Sequence, residues 1–127
     1  MVNKEVLFSE LCSRLPYEVK CDIGDDKPYT LNSIEVDYVG GHLVRFKEMK
    51  NGFIMEVYLS EVKPYLFPLS SMTKEQKAEL SMLVVGVEDI FKSFLIEVEF
   101  YHKHHIDYRG LIEKSLALDA TNLGIYE

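Results

Sequence analysis

The chain has 127 residues, of which 47% are hydrophobic and 12% aromatic, and its formal net charge is −7 at pH 7. This length fits one domain with one core, and the composition excludes an extended disordered protein. The acidic charge disfavours nucleic acid as the main partner, because proteins that bind a phosphate backbone gather Lys and Arg on one face.

The first residues, MVNKEVLFSELCSRL, lack the apolar core and the cleavage site of a secretory signal. No apolar run reaches the roughly twenty residues needed to cross a bilayer. We therefore expect a cytoplasmic protein without membrane contact. Cys12 falls on an apolar helical stripe and Cys21 on the inward phase of a strand, so both are expected to be small buried hydrophobes. A disulfide between them is not expected, because such bonds rarely persist in a reducing compartment.

The first half of the chain predicts a helix and then a sheet. Apolar residues recur at helical spacing over residues 4–15, and Pro16 ends this helix. Over residues 17–59, four alternating runs joined by short turns predict an antiparallel meander. The alternation slips by one residue at Asn32 and Ser33, which predicts a β-bulge and a curled sheet, with a small open barrel as one form of it.

Two turns and a connector complete the first half. Gly40 with Gly41 predicts one tight turn, and Asn51 with Gly52 predicts a type I′ hairpin, because both residues tolerate positive φ. Residues 60–72 contain two prolines and are too apolar for a free linker. They predict an ordered connector that is neither regular helix nor central strand.

The second half predicts a helical segment over residues 73–118. Thr73 and Gln76 fit a capping box, so a helix is expected to begin there. An apolar stripe at helical spacing continues to about residue 105, and Gly86 is the place where it would divide into two helices. Asp107 is expected to cap a last short turn, and residues 119–127 are expected to be a mobile tail. The fold class is α+β in a single domain.

The stretch YHKHHIDYRG at residues 101–110 raises the question of a metal site. His102 and His105 lie three residues apart, and Glu99 with His102 forms a Glu-x-x-His motif. Asp107, close by in sequence, is the candidate for a fourth ligand. No His-Glu-x-x-His motif, second Glu-x-x-His or paired cysteine motif accompanies them. We therefore expect a helix end without metal or cofactor, where Lys103 and the histidines oppose the partial negative charge of free carbonyls.

Two stretches resemble a group of proteins. They are PYLFPLSSMTKEQK and HHIDYRGLIEKSLAL, which contain a Pro-Tyr-Leu-x-Pro-x-Ser-Ser-Met-Thr pattern at 64–73 and an Asp-Tyr-Arg-Gly-Leu-Ile pattern at 107–112. Together with LCSRLPYEVK, they resemble small uncharacterised proteins of Bacteroides-type gut bacteria and their phages and prophages. This chain has Ser115 where the group has a glycine, and its tail departs from the group. The resemblance implies a phage or mobile-element context and a binding role, and it supplies no catalytic residues.

Two hypotheses for the function follow. The first is a non-enzymatic accessory protein that binds a protein partner or itself through the aromatic and arginine side chains of Tyr65, Phe67, Tyr108 and Arg109. The alternative is a small metal-dependent hydrolase or nuclease that uses the candidate ligands at positions 99, 102, 105 and 107. The pattern favours the first, because no complete ligand set is present.

Overall fold

The computed structural model of the chain describes residues 2–36, 41–47, 52 and 54–127. Within this part, three α-helices form: α1 (Val2–Arg14), α2 (Lys74–Val84) and α3 (Ile90–Lys103). Single 3₁₀ turns follow α1 at Leu15–Tyr17 and flank the fifth strand at Leu59–Glu61 and Leu69–Ser71. The N-terminal helix predicted from the sequence is therefore confirmed, and the α+β class is confirmed by these helices together with the strands given next.

The strands form one mixed, open sheet. They are β1 (Lys20–Asp22), β2 (Tyr29–Val36), β3 (His42–Phe46), β4 (Glu56–Tyr58), β5 (Lys63–Pro68), β6 (Ile106–Asp107) and β7 (Leu118–Asp119). The strand order is β4-β3-β2-β1-β5-β6, and β7 also pairs with β5. Strands β1 to β5 pair antiparallel where they are neighbours, whereas β6 and β7 run parallel to β5. The predicted meander is thus only part of a larger sheet, which does not close into a barrel.

The phase slip in the second strand is a bulge, as predicted. The register between β2 and β3 shifts between Leu31 and Ser33, after which the pairing continues to Val36 opposite His42. The predicted turn at Gly40 and Gly41 and the predicted hairpin at Asn51 lie wholly or partly outside the described residues. Strand β3 pairs antiparallel with both β2 and β4, as the predicted meander requires.

Strand β5 corrects the prediction of an irregular connector. Pro64 pairs with Cys21 of β1, and Phe67 and Pro68 pair with β6, so the segment is an interior strand despite its prolines. The reason is burial, since Pro64, Tyr65 and Leu66 are all enclosed. Pro64 has no N–H group, so the strand loses one backbone hydrogen bond. The free energy gained by burying these apolar side chains is larger than that loss.

Helix α1 packs on the sheet with a stripe that is partly charged. Its buried residues recur every three or four positions: Leu7, Glu10, Leu11 and Arg14. Cys12 lies one position beyond Leu11, about 100° around the helix, and is exposed, so the prediction that it is buried is wrong. Cys21 is fully buried in β1 as predicted, and both cysteines are free thiols.

Helices α2 and α3 form a hairpin, so the apolar stripe divides into two helices. The Thr73 hydroxyl accepts a hydrogen bond from the Gln76 N–H at 3.0 Å, and the Gln76 side chain accepts one from the Thr73 N–H at 3.0 Å, which confirms the capping box. Asp89 caps α3 by accepting from the N–H groups of Phe91 and Lys92. Gly86, between the helices, has a φ of 79°.

The prediction of helix up to residue 118 is wrong beyond α3. Residues 106–119 form two short strands and an intervening turn, in which the Leu116 N–H donates to Leu111 O and the Ser115 N–H donates to Ile112 O. The expected mobile tail packs against β5: the Ala120 N–H donates to Leu66 O, and the Tyr126 hydroxyl donates to Tyr65 O at 2.6 Å. A tail whose backbone and hydroxyl groups bond to a buried strand is held in place.

Candidate functional site

The stretch at residues 101–110 forms the corner between α3 and β6. Helix α3 ends at Lys103, and His105 has a φ of 58°, in the left-handed region that commonly follows a helix. The His105 N–H donates to His102 O at 3.2 Å, and the His105 carbonyl accepts from the Phe67 N–H at 2.8 Å. This backbone geometry explains why the chain turns here.

His102 points back into the molecule. Its side chain is buried, and its Nε2 lies 3.0 Å from the Tyr108 hydroxyl. Burial, together with the nearby guanidinium of Arg14, lowers the pKa of His102 below its ordinary value. The imidazole is therefore neutral at neutral pH and acts as a hydrogen-bonding group.

His105 points to a different place. Its ring stacks on Tyr126 with centroids 3.7 Å apart and planes 12° from parallel. Burial first, and then the nearby Arg14, lowers the pKa of His105 to about 4. The expectation that the histidines oppose the helix dipole as cations therefore fails for His102 and His105. Lys103 and His104 remain at the C-terminal end of the helix, where His104 Nε2 lies 4.0 Å from Glu79.

The two carboxylates of the metal hypothesis also have other partners. Both oxygens of Asp107 accept backbone hydrogen bonds at 2.9 Å, one from the Leu111 N–H and one from the Ile112 N–H, so Asp107 caps the following turn as expected. Glu99 is exposed and accepts from the Tyr17 hydroxyl at 3.4 Å. Among the residues that the structure describes, no three His, Cys, Asp or Glu side chains are grouped so as to hold a metal ion.

A buried ionic cluster, which the sequence analysis missed, joins this corner to α1. Arg14 Nε donates to Glu10 at 2.9 Å, and Arg14 Nη2 donates to the carbonyl of Ile106 at 2.6 Å. The other Glu10 oxygen accepts from Arg109 at 3.1 Å and from the Tyr108 hydroxyl at 3.4 Å. The spacing of Glu10 and Arg14 could have predicted this ion pair, because the two residues are four apart and lie in phase with the apolar stripe of α1.

The four residues predicted to bind a partner lie in two clusters. Tyr65 is only 4% exposed, and Phe67 packs against Tyr126 with ring centroids 5.8 Å apart. Tyr108 stacks on Tyr101 at 5.3 Å, and the exposed side chain of Arg109 reaches Glu10. Beside the second cluster is a groove of about 970 Å³, whose lining includes Pro68, Leu69, Leu80, Tyr101 and Tyr108.

Among the residues that the structure describes, most of the exposed large apolar side chains lie on the α2–α3 hairpin. Helix α2 has no buried residue. Seven large apolar side chains at the end of the hairpin, here called the hairpin patch, are exposed: Met82, Leu83, Val85, Ile90, Phe91, Phe94 and Leu95. Ile90 is 87% exposed and Met82 is 73% exposed. Contiguous exposed apolar patches of this size are rare on monomeric soluble proteins.

Comparisons with protein-family models, with curated proteins and with solved structures found no match to this chain. Of the helices in the described residues, none has both the length and the apolar character needed to span a membrane.

Proposed function

We propose that this protein performs no reaction of its own and acts by binding another polypeptide at the hairpin patch. The observation that carries the proposal is the exposure of four large apolar side chains in the first two turns of α3, where Ile90, Phe91, Phe94 and Leu95 are all more than half exposed. Aromatic side chains are the usual anchors of protein interfaces, because they enclose a large area at a modest cost in entropy.

The size of the patch supports a protein as the ligand. A phenylalanine side chain offers about 150 to 250 Å² when fully enclosed, so the seven exposed side chains present on the order of 800 Å² of apolar surface. One partner in an interface of standard size contributes about the same area. A small molecule would cover only a fraction of it.

The corner between α3 and β6 supports the patch as a rigid base. The Tyr108 hydroxyl donates to Glu10 of α1 and lies 3.0 Å from His102 Nε2 of α3, so it ties the two helices together. The groove beside Tyr108, which is also lined by Pro68 and Tyr101, offers a second contact area for a large partner. A phage or prophage context and a cytoplasmic location belong to the same proposal, and they are supported by the resemblance and by the composition described above.

Site-specific photocrosslinking in the cells that naturally produce the protein tests this proposal. A benzoylphenylalanine replaces Phe91, and in a matched control it replaces Tyr58, an exposed aromatic residue of β4. Position 91 is expected to crosslink to a defined polypeptide, and a second substitution, Phe94→Glu, is expected to abolish that band. Position 58 should give no band.

The outcomes separate the possible ligands of the patch. A polypeptide band that depends on Phe94 supports the proposal. Crosslinking to lipid alone, or equal crosslinking from positions 91 and 58, overturns it. Because Phe91 and Phe94 are exposed, neither change should unfold the chain, and a circular dichroism melt of each variant checks this.

A further inference from the structure

We infer that residues 121–127 form a pH-sensitive strap, which Tyr126 fastens to β1 and β5 and which protonation of His105 releases while the rest of the fold stays intact. The inference does not involve the hairpin patch and does not depend on the proposed function. The strap combines one anchor, a run of exposed residues and a titrating ring that stacks on the anchor.

Tyr126 is the anchor of the strap. Its hydroxyl accepts from the Lys20 N–H at 2.9 Å and donates to Tyr65 O at 2.6 Å, so it bridges β1 and β5 just beyond the point where their own pairing ends. The Ile125 carbonyl accepts from Lys20 Nζ at 3.0 Å. Among the described residues beyond Ala120, only Ile125 and Tyr126 hydrogen-bond to β1 or β5.

The other residues of the strap add little to its closure. Residues 121–124 are exposed. Their backbone hydrogen bonds are local: the Thr121 N–H donates to the Asp119 side chain, and the Leu123 N–H donates to Ala120 O. A segment with exposed backbone and few buried contacts opens at a low cost in free energy. The strap is therefore expected to open as a unit when Tyr126 leaves its place.

His105 is the titrating ring. It stacks on the Tyr126 ring with centroids 3.7 Å apart, so the closed strap keeps water away from one face of the imidazole. The cationic groups near it are Arg14 of α1, Lys20 of β1 and, when protonated, the adjacent His104. A proton on His105 thus adds a buried positive charge to a region that already holds two permanent ones.

The carboxylates nearby do not offset this charge. His105 and the strap line a cavity of about 550 Å³, and the acidic residues in its lining are Glu18 and Glu127. Glu18 is already paired with Lys47. The pKa of His105 is lowered to about 4, so burial and the nearby cations outweigh the carboxylates and the attraction of the Tyr126 ring face. Lifting the strap hydrates the imidazolium without moving α3 or β1.

The size of the effect follows from linkage between protonation and opening. His105 has a pKa of about 4 in the closed protein and regains about 6.5 when the strap is open. Closure is therefore fully favoured above about pH 6.5 and weakens as the pH falls towards about 4. Between about pH 6.5 and pH 4.5, the equilibrium constant for opening should rise about fortyfold.

Amide hydrogen exchange, followed by NMR, measures this opening. The Lys20 N–H reports the place of Tyr126, and the Leu31 N–H, which donates to Val19 O at 3.0 Å, reports the core. The Lys20 amide should be less protected than the Leu31 amide, should not respond to low urea concentrations, and should lose about fortyfold of its protection factor between pH 6.5 and pH 4.5. In His105→Asn the protection factor of the Lys20 amide should be nearly independent of pH.

A second measurement tests the coupling from the other side. Tyr126→Ala should raise the pKa of His105 from about 4 towards about 6.5 in an NMR titration, because the strap no longer covers the ring. Tyr58→Ala, a matched change on an exposed residue of β4, should leave that pKa unaltered. Circular dichroism checks that each variant is folded.

The outcomes are decisive in either direction. A Lys20 amide that opens locally and loses protection with acid only when His105 is present supports the inference. Equal protection and equal urea dependence of the Lys20 and Leu31 amides overturn it, since the strap would then open only on global unfolding. The same pH dependence in His105→Asn, or an unaltered His105 pKa in folded Tyr126→Ala, overturns it as well.

Discussion

Arg14 and Glu10 form an ion pair inside the protein: the guanidinium Nε lies 2.9 Å from the Glu10 carboxylate, and the two side chains are 0% and 2% exposed. Removing one member leaves the other as a buried charge with fewer partners, which typically costs about 3 to 5 kcal/mol. We therefore expect Arg14→Met to lower the free energy of unfolding by about that amount, measured by urea denaturation.

A double-mutant cycle shows whether the pair itself is responsible. Glu10→Met together with Arg14→Met removes both charges and should cost clearly less than the sum of the two single changes. The matched control is Arg45→Met, which removes an arginine paired with Glu35 and Glu56 at the surface and should cost no more than about 1 kcal/mol. Additive effects of the buried changes would contradict the account of this cluster.

The stability of the protein should depend on the protonation of His105. The folded state lowers its pKa from an ordinary value of about 6.5 to about 4, so the unfolded chain takes up the proton first as the pH falls. The stability that the neutral His105 ring contributes is fully present above about pH 6.5 and is lost as the pH falls towards about 4. Since one pKa unit corresponds to about 1.4 kcal/mol, the loss should be on the order of 2 kcal/mol for this partly buried ring.

The control for this pH effect is His105→Asn. Asparagine tolerates the left-handed backbone at this position and does not titrate. Denaturation curves of both proteins between pH 4 and pH 7 should show a smaller loss of stability in the variant, after the shared contribution of the carboxylates is subtracted. An equal loss of stability with falling pH in the wild type and in the variant would mean that the pKa of His105 is not lowered by folding.

Ser115 occupies a position that suits glycine. Its φ is 61°, and the hydrogen bonds from Ser115 N to Ile112 O and from Leu116 N to Leu111 O form the Schellman pattern, in which the left-handed residue is usually glycine. Ser115→Gly should therefore raise the free energy of unfolding by about 0.5 to 1 kcal/mol, because the strain relieved exceeds the added freedom of the unfolded chain. Ser115→Ala keeps the strained backbone and should not raise the free energy of unfolding. Thermal melts of both variants measure the difference.

The sequence predicted the features of the fold that depend on neighbouring residues. The bulge after Leu31 and the capping box at Thr73 have local signals, namely a break in alternation and a pair of side chains three apart. Strand β5 could not be predicted in this way, because its pairing with β6 and β7 joins segments about forty to fifty residues apart in the chain. Each of those partners is only two residues long and has no period of its own.

The candidate site was predictable only in part, for a similar reason. The helix end near residue 105 follows from composition and spacing. The helical spacing of Phe91 and Phe94 indicated that they share one apolar face of a helix. The sequence pattern of such a face is the same whether it packs on the chain's own core or is exposed. Which of the two applies depends on how α3 sits on the body, and only the exposure of these side chains distinguishes them.

Hydroxyl-radical footprinting in the cells that naturally produce the protein, compared with the dilute purified chain, tests the central claim most directly, namely that another polypeptide covers the hairpin patch. Met82 and Phe91 should be oxidised at the rate of open side chains in the dilute chain and should be several-fold protected in the cells, while Tyr58 keeps the same rate in both. Equal oxidation of Met82 and Phe91 in the two samples, with Tyr58 as the reference, would contradict the claim.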